Sequence, residues 1–494
     1  MKRIIMILLI LLVRICNPCT AQQQVVLTLN RTIEIAADSS LQAFIAQNMY
    51  QSSYWEYHTF RAARLPSLNL NTTPMEYNSG FVRRWDSEQK IDVFHRQQSL
   101  YSSGGLSVKQ NLDITGGQFF IDSRLSYIRN FGSNTLTQFT SIPFRVGYTQ
   151  NLFGFNTFKW EKKIEPLKFE KAQKRFLSEK EDISTQATQV FFDLAAAQTE
   201  YTMASDNVAS SDTLYRIGQE RFKIMAITET DLMTLELDVN NARNYLRNAE
   251  LTLKRAMFAF VSFLNMDKDT PVMLELPDKP ADLNITVEMA LAEARENNPD
   301  FLDNMQRILE AERHVDQTQK SAVFEASFYA SVGFNQVAHT FGDAYRNPLQ
   351  QDIVSIGFSI PLIDWGVRRG RANMARNNLN VTRLSVVQRE TNLEQDVIMT
   401  VNEFNIQQDL MQRAEGTMRL ANSLYNSTVE RFIIGRVDIN SLTISLNRQK
   451  DAQKNYISAL KNYWLSYYKI RKLTLFDFEK QQKITDEFNR RYGF

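Results

Sequence analysis

The chain has 494 residues, with 57 Lys and Arg against 55 Asp and Glu and a formal net charge of +2. That balance leaves no basic footprint for a nucleic-acid partner. The two cysteines, Cys16 and Cys19, lie near the N-terminus, so the rest of the chain has no disulfide framework and no thiolate metal site.

Residues 1–21 read as a secretory signal peptide. Lys2 and Arg3 supply the positive end, Ile4 to Val13 the apolar run, and Cys19-Thr20-Ala21 a small-x-small cleavage site before Gln22. The run is too short to span a bilayer as a helix, and no later segment approaches the required length. A helix opens at Thr28-Leu29, where a hydroxyl can cap orphan N–H groups. Leu65 to Asn71 then alternates apolar and polar residues as a strand. Gly105 to Ile114, a Thr115-Gly116-Gly117 turn and Gln118 to Ile128 form a hairpin, and Ser141 to Leu152 a further strand. Proline and glycine then become rare, and helices are predicted at about 163–224 and 229–266. A second short helix opens at Thr286-Val287 and breaks locally at Pro299-Asp300. Strands follow at Ala326 to Phe334 and Asp352 to Leu362, then long helices at about 368–434 and 439–474. A helix of about 65 residues is about 100 Å long. It belongs in a coiled coil, a helical barrel or an elongated bundle.

The second set of elements echoes the first. Leu214, Tyr215, Glu220, Arg221, Phe222 and Ile224 recur 210 residues later as Leu424, Tyr425, Glu430, Arg431, Phe432 and Ile434. Gly147 and Leu152 recur as Gly357 and Leu362 at the same offset. Thr28 and Thr286 are instead 258 apart, so 48 residues are inserted in the first half before Gly147. The organisation is a duplicated unit of helix, two strands and a long helical hairpin. The first repeat covers 22–270 with an inserted hairpin at about 99–131, the second covers 271–480, and 481–494 is a tail. Strands of about ten residues suit a tilted membrane β-strand. Only helices and closed barrels span membranes, and known barrels start at about eight strands, so several chains would have to share one barrel.

Three pieces resemble the outer-membrane efflux protein family, the TolC-like channels. They are Ala63-Arg64-Leu65-Pro66-Ser67-Leu68, then Ile356 to Gly366, then Glu430-Arg431-Phe432-Ile433-Ile434-Gly435 with Asp438, Leu442 and Ala452. The C-terminal stretch from Tyr463 to Phe478 resembles the closing helix of Bacteroidetes-type members. The resemblance implies a mostly α protein with a membrane β-barrel part, forming a homotrimeric α/β-barrel channel. Four strands per chain would make a twelve-stranded barrel in the cell outer membrane, with a helical barrel extending into the periplasm. The implied role is the passive exit duct of a tripartite efflux or secretion system. Its partners would be a periplasmic adaptor, an inner-membrane pump and outer-membrane lipid. The alternative from a different class is a secreted or surface-attached coiled-coil scaffold without a pore.

Site residues are expected at two places. By the repeat, the periplasmic tip turns fall at about Lys223–Asp231 and Ile433–Ser441. Asp231 matches a family acidic position. Its repeat partner is Ser441, and Asp438 lies three residues early. Phe432 stands where the family has a tyrosine, and Arg436 is one position off the family arginine, so a differently built latch or an apolar constriction is expected. Gly435 suits a helix end with positive φ, although its repeat partner is Met225. The competing reading of Asp231, Arg436 and Asp438 is ordinary polar residues in a solvated turn. Phe153, Phe155, Trp160, Phe358 and Trp365 flank strand ends, where they form either a membrane-interface aromatic belt or plain junction packing. Arg368, Arg369, Arg371 and Arg376 open a long helix, within reach of anionic head groups. His58, His95, His314 and His339 are scattered, with no HExxH spacing, phosphate-binding loop or nucleophile elbow. The chain reads as a non-enzyme with no catalytic, cofactor or metal residues and no nucleic-acid partner.

Overall fold

The computed structural model describes residues 25–488, apart from 89, 132–134, 269, 278–281, 323, 435 and 487. The expected signal peptide and Gly435 lie outside the described residues. In chain order the first half holds β1 (Val25–Thr28), α1 (Leu29–Ser39), α2 (Leu41–Ala62), β2 (Ser67–Asp86), β3 (Ile91–Asn111), β4 (Gln118–Phe131) and β5 (Leu136–Leu152). The long helices α3 (Thr157–Lys223) and α4 (Glu229–Phe263) follow, then β6 (Val272–Glu275). The second half holds α5 (Val287–Asn297), α6 (Pro299–Ser321), β7 (Glu325–Ala338), β8 (Leu349–Ser359), α7 (Val367–Ile433) and α8 (Ile439–Thr474), closed by β9 (Phe476–Asp477) and β10 (Gln482–Lys483). No helix among the described residues is long and apolar enough to cross a membrane.

Two compact units form, and each draws on both sequence halves. One takes the described residues within Met1–Tyr50, Gln173–Pro299 and Asn392–Phe494, and the other those within Gln51–Ala172 and Asp300–Thr391. The first unit is helical. Its core is built from Phe191, Phe192, Phe260, Phe404, Tyr463 and Tyr467, all fully buried. Thr28 and Thr286 accept from the backbone N–H groups of Arg31 and Met289, so both short helices start where a capping hydroxyl allows. Leu475 takes a left-handed conformation that ends α8 and turns the chain into β9. There Arg471 is buried against Glu181 at 3.0 Å and Asp477 at 3.2 Å, while the Tyr467 hydroxyl donates to Asp477 at 2.9 Å.

The second unit carries one antiparallel six-stranded sheet in the order β2-β3-β4-β5-β7-β8. Three sequence expectations need correction here, the first being the strand expected from Gly105, which begins at Ile91 as β3. The strand expected at Leu65–Asn71 runs on to Asp86 as β2, because a bulge between Thr73 and Glu76 absorbs the break in its alternation. The helix expected from about 163 begins at Thr157, with Pro166 inside it. Asn156 fixes that start, since its Oδ1 accepts from the Lys159 N–H at 3.0 Å. The Trp160 indole N–H, 2.8 Å from Asp316 Oδ2, then ties the first turn to α6. Together these offset an interior proline, which costs about 3 kcal/mol.

Candidate channel sheet and tip turns

Directly opposed residues in a ladder share a face. The register therefore draws rows straight across the sheet. One row reads Leu68, Val108, Ile121, Val146, Val332 and Asp352. The next row, one residue along and on the other face, reads Asn69, Ser107, Asp122, Arg145, Gly333 and Gln351. The first row is apolar on five strands and ends on Asp352 of β8, where Val354, Ile356 and Phe358 continue the same face; the second row carries no large apolar side chain. The apolar face is bare, with Leu68, Leu70, Val354, Ile356 and Phe358 all exposed. On the polar face Arg145 grips Asp122 through two bonds, at 2.9 and 2.6 Å.

The inserted hairpin supplies β3 and β4, and both lie inside the sheet. Its turn sits at the helix end of the strands. Gly116 has φ +75° there, and Leu112 and Gly117 close the loop at 2.9 Å. Arg64, at the end of α2, holds the turn through Asp113 at 2.9 Å and donates to the Phe158 carbonyl at 3.0 Å. Asn156 donates to the Asp113 carbonyl at 3.0 Å. Above the turn, the Phe120 ring lies over Gly147, where any Cβ would overlap it, and stacks on Tyr329 at 5.8 Å.

The aromatic candidates separate into two groups. Phe153 packs 5.7 Å from Phe324, which in turn lies 6.3 Å from Phe358, and Phe155 lines the same cleft of about 390 Å³. Phe324 was missed by the sequence because it stands outside any strand pattern. Trp365 is 93% exposed, and Trp160 is committed to Asp316.

The turns joining α3 to α4 and α7 to α8 share one backbone design. Ala226 N–H bonds to the Arg221 carbonyl at 2.8 Å, and Arg436 N–H to the Arg431 carbonyl at 2.9 Å, the six-to-one closure of a helix C-terminus. Met225 adopts φ +56° without being glycine. Each following helix is then capped. Thr228 caps α4 and exchanges bonds with Asp231 in a capping box. Asp438 caps α8 by accepting from the Ser441 N–H at 2.7 Å. Thr228 and Asp438 are repeat partners, and so are Asp231 and Ser441. Hydroxyl and carboxylate have exchanged places. Backbone N–H donors, joined by the neighbouring hydroxyls, hold both carboxyls below the usual carboxylate range.

Phe432, 3% exposed, is buried within the chain. Arg221 stacks over its ring at 5.3 Å and donates to the Phe432 and Ile433 carbonyls at 3.2 and 3.3 Å. A cation is thereby set on the C-terminus of α7. Arg221, not Arg436, ties the two turns together. Arg436 is exposed, and the apolar surface of the turns is Ile224, Met225, Ile433 and Ile434.

Residues 290–474 match the family model described as outer membrane efflux protein. Over that stretch, 185 of the 494 residues, the chain is similar to this family. Proteins of that family are channels of the cell outer membrane that extend into the periplasm, rather than enzymes. Solved structures share the fold at low identity. A membrane protein from Pseudomonas aeruginosa aligns with TM-score 0.64 at 13% identity, covering 90% of each chain. The Campylobacter jejuni CmeC outer membrane channel aligns with TM-score 0.63 at 12% identity, covering 93% of this chain and 89% of that one. The open state of the Neisseria gonorrhoeae MtrE outer membrane channel aligns with TM-score 0.59 at 12% identity, covering 90% and 88%. No curated protein matches the chain.

Proposed function

We propose that the protein is the outer-membrane exit duct of a tripartite export assembly, working as a homotrimer. Cargo delivered by an inner-membrane pump through a periplasmic adaptor passes through it without energy input of its own. The observation that carries this reading is the pair of adjacent rows in the sheet, one apolar on five of its six strands and the other polar on all but Gly333. A sheet with such faces suits lipid on one side and water on the other. A scaffold without a pore has no use for it. The repeats 22–270 and 271–480 are the duplicated halves of this duct. The aromatics Phe153, Phe155 and Phe358 at the strand ends serve as the membrane-interface group, joined by the exposed Trp365.

The tip turns are the gate in this reading. Asp231 and Asp438 present carboxylates held in place by their caps, two per chain, and in a trimer they form an acidic rim that attracts cations. Ile224, Met225, Ile433 and Ile434 supply the apolar constriction beside it. The test is fractionation and conductance. Heat-modifiable trimers in the outer-membrane fraction that conduct in planar bilayers are the expected result. A water-soluble monomer without conductance overturns the reading and leaves the scaffold.

A further inference from the structure

We infer that three copies, joined β8 to β2, close a barrel of eighteen strands rather than twelve. The inference rests on the trimeric channel reading and concerns what the added hairpin does within it. The first observation is that β3 and β4 are full members of the sheet. Val108 and Ile121 continue the apolar row between Leu68 and Val146, and Ser107 and Asp122 continue the polar row between Asn69 and Arg145. A hairpin capping the barrel from outside would have no reason to alternate in phase with its neighbours.

The second observation is length. β4 has 14 residues and β8, the shortest of the six, has 11. A tilted strand needs about 9–11 residues to cross a bilayer. The third is fastening. The bidentate Arg145–Asp122 pair and the Phe120 ring seated over Gly147 lock β4 to β5, and Arg64 ties the β3–β4 turn to the helix end. The hairpin is built in at both ends.

The fourth is closure. Among the described residues β2 and β8 each pair on one side only. An open edge cannot face lipid, because its N–H and C=O groups find no partner there. Six strands are too few to close alone. β2 runs away from the helix end and β8 runs back towards it, so β8 of one copy and β2 of the next are antiparallel and extend the same meander. The apolar residues of both edges, Leu68 and Leu70 on β2 with Val354 and Ile356 on β8, then meet the same lipid. With strands about 4.8 Å apart and tilted about 40°, eighteen strands enclose a backbone diameter of about 36 Å, against about 24 Å for twelve. The barrel section therefore admits bulkier cargo than four strands per chain would.

The test uses the full chain reconstituted in phospholipid vesicles. Single cysteines are placed at Leu125→Cys on the apolar face of β4, Ser126→Cys on its polar face, and Val354→Cys on β8. Fluorophores at positions 125 and 354 should be quenched by brominated phospholipid. Position 126 should escape quenching and react with an aqueous maleimide. Asn69→Cys, combined in turn with Gln351→Cys, Ile353→Cys or Ser355→Cys, should yield a covalent trimer from at least one pair. Quenching at 354 with none at 125 overturns the eighteen-stranded barrel and leaves the channel reading standing. Covalent oligomers other than trimers overturn it too. Absence of quenching at 354 as well overturns the channel reading itself.

Discussion

At the tip turns the 210-residue echo survives in the bonds even where Met225, Thr228 and Asp231 differ from Gly435, Asp438 and Ser441. At the sheet it holds for the last strand of each half, Gly147 answering Gly357, and fails in the number of strands. The α3–α4 and α7–α8 turns close with the same backbone bonds at 2.8 and 2.9 Å, and both following helices carry a side-chain cap. Met225 has replaced the glycine type, and Thr228 with Asp231 answers Asp438 with Ser441. In the sheet the first half has gained two strands that the second half lacks. The difference follows from what each place must satisfy. A helix end has a fixed set of orphan donors and acceptors, so any exchange of side chains must still supply the same bonds. A sheet accepts further strands wherever the new ladder continues the old alternation.

The strongest challenge to that contrast is Gly147→Val. Its added atoms run into the Phe120 ring and the Ala330 carbonyl, which lies 2.9 Å from an ideal Cβ. Overpacking costs about 1–3 kcal/mol, and a backbone neighbour puts this site near the upper end. We expect loss of the heat-resistant oligomer on gels, partly restored by adding Phe120→Ala. Normal assembly of Gly147→Val would mean that β4 does not pack on β5 as described.

Arg221→Ala should lower the helical melting transition, because two carbonyls at the end of α7 lose a charged donor, worth about 1.5–3 kcal/mol. Thr228→Ala should cost about 0.5–2 kcal/mol as a lost cap. The double exchange Thr228→Asp with Asp231→Ser, which copies the second turn into the first, should melt close to the parent. A double variant as weak as Thr228→Ala would break the equivalence of the two turns.

Asp438→Asn separates charge from capping, since asparagine caps as well as aspartate. It should keep the melting temperature while reducing cation preference in reversal-potential measurements. Unchanged selectivity would remove the acidic rim from the gate. The smallest expected effect is on pH. Asp231 and Asp438 have depressed folded values, so their contribution is complete above the ordinary aspartate value of about 3.9 and is lost as pH falls through the lower folded values. Circular dichroism melts should be flat with respect to these groups from about pH 5 to 8 and should fall only in stronger acid.

The long helices were legible because proline and glycine are scarce in their tracts, and their ends agree with the structure within a few residues, apart from the start of α3. That start lies earlier than expected because Asn156 caps it and the helix carries Pro166 inside it. The outer half of β2 was hidden because the bulge after Thr73 shifts the apolar positions by one. At the tip, Asp438 looked misplaced when compared with Asp231 by residue type. It falls into place as the cap that Thr228 provides in the other turn. Arg221 could not be singled out, because its partners lie 211 and 212 residues away and its repeat partner Arg431 looks equivalent in sequence. Contacts of that range leave no local pattern to read.

The two unpaired ladders of β2 and β8 also bear on supply. If three copies share the barrel as inferred above, a sheet completed only by its neighbours has no stable place in lipid as a single copy. Its folded, inserted population is then set by mass action among copies as much as by any contact within one. Halving the amount of protein delivered to the membrane should lower the yield of finished ducts by more than half.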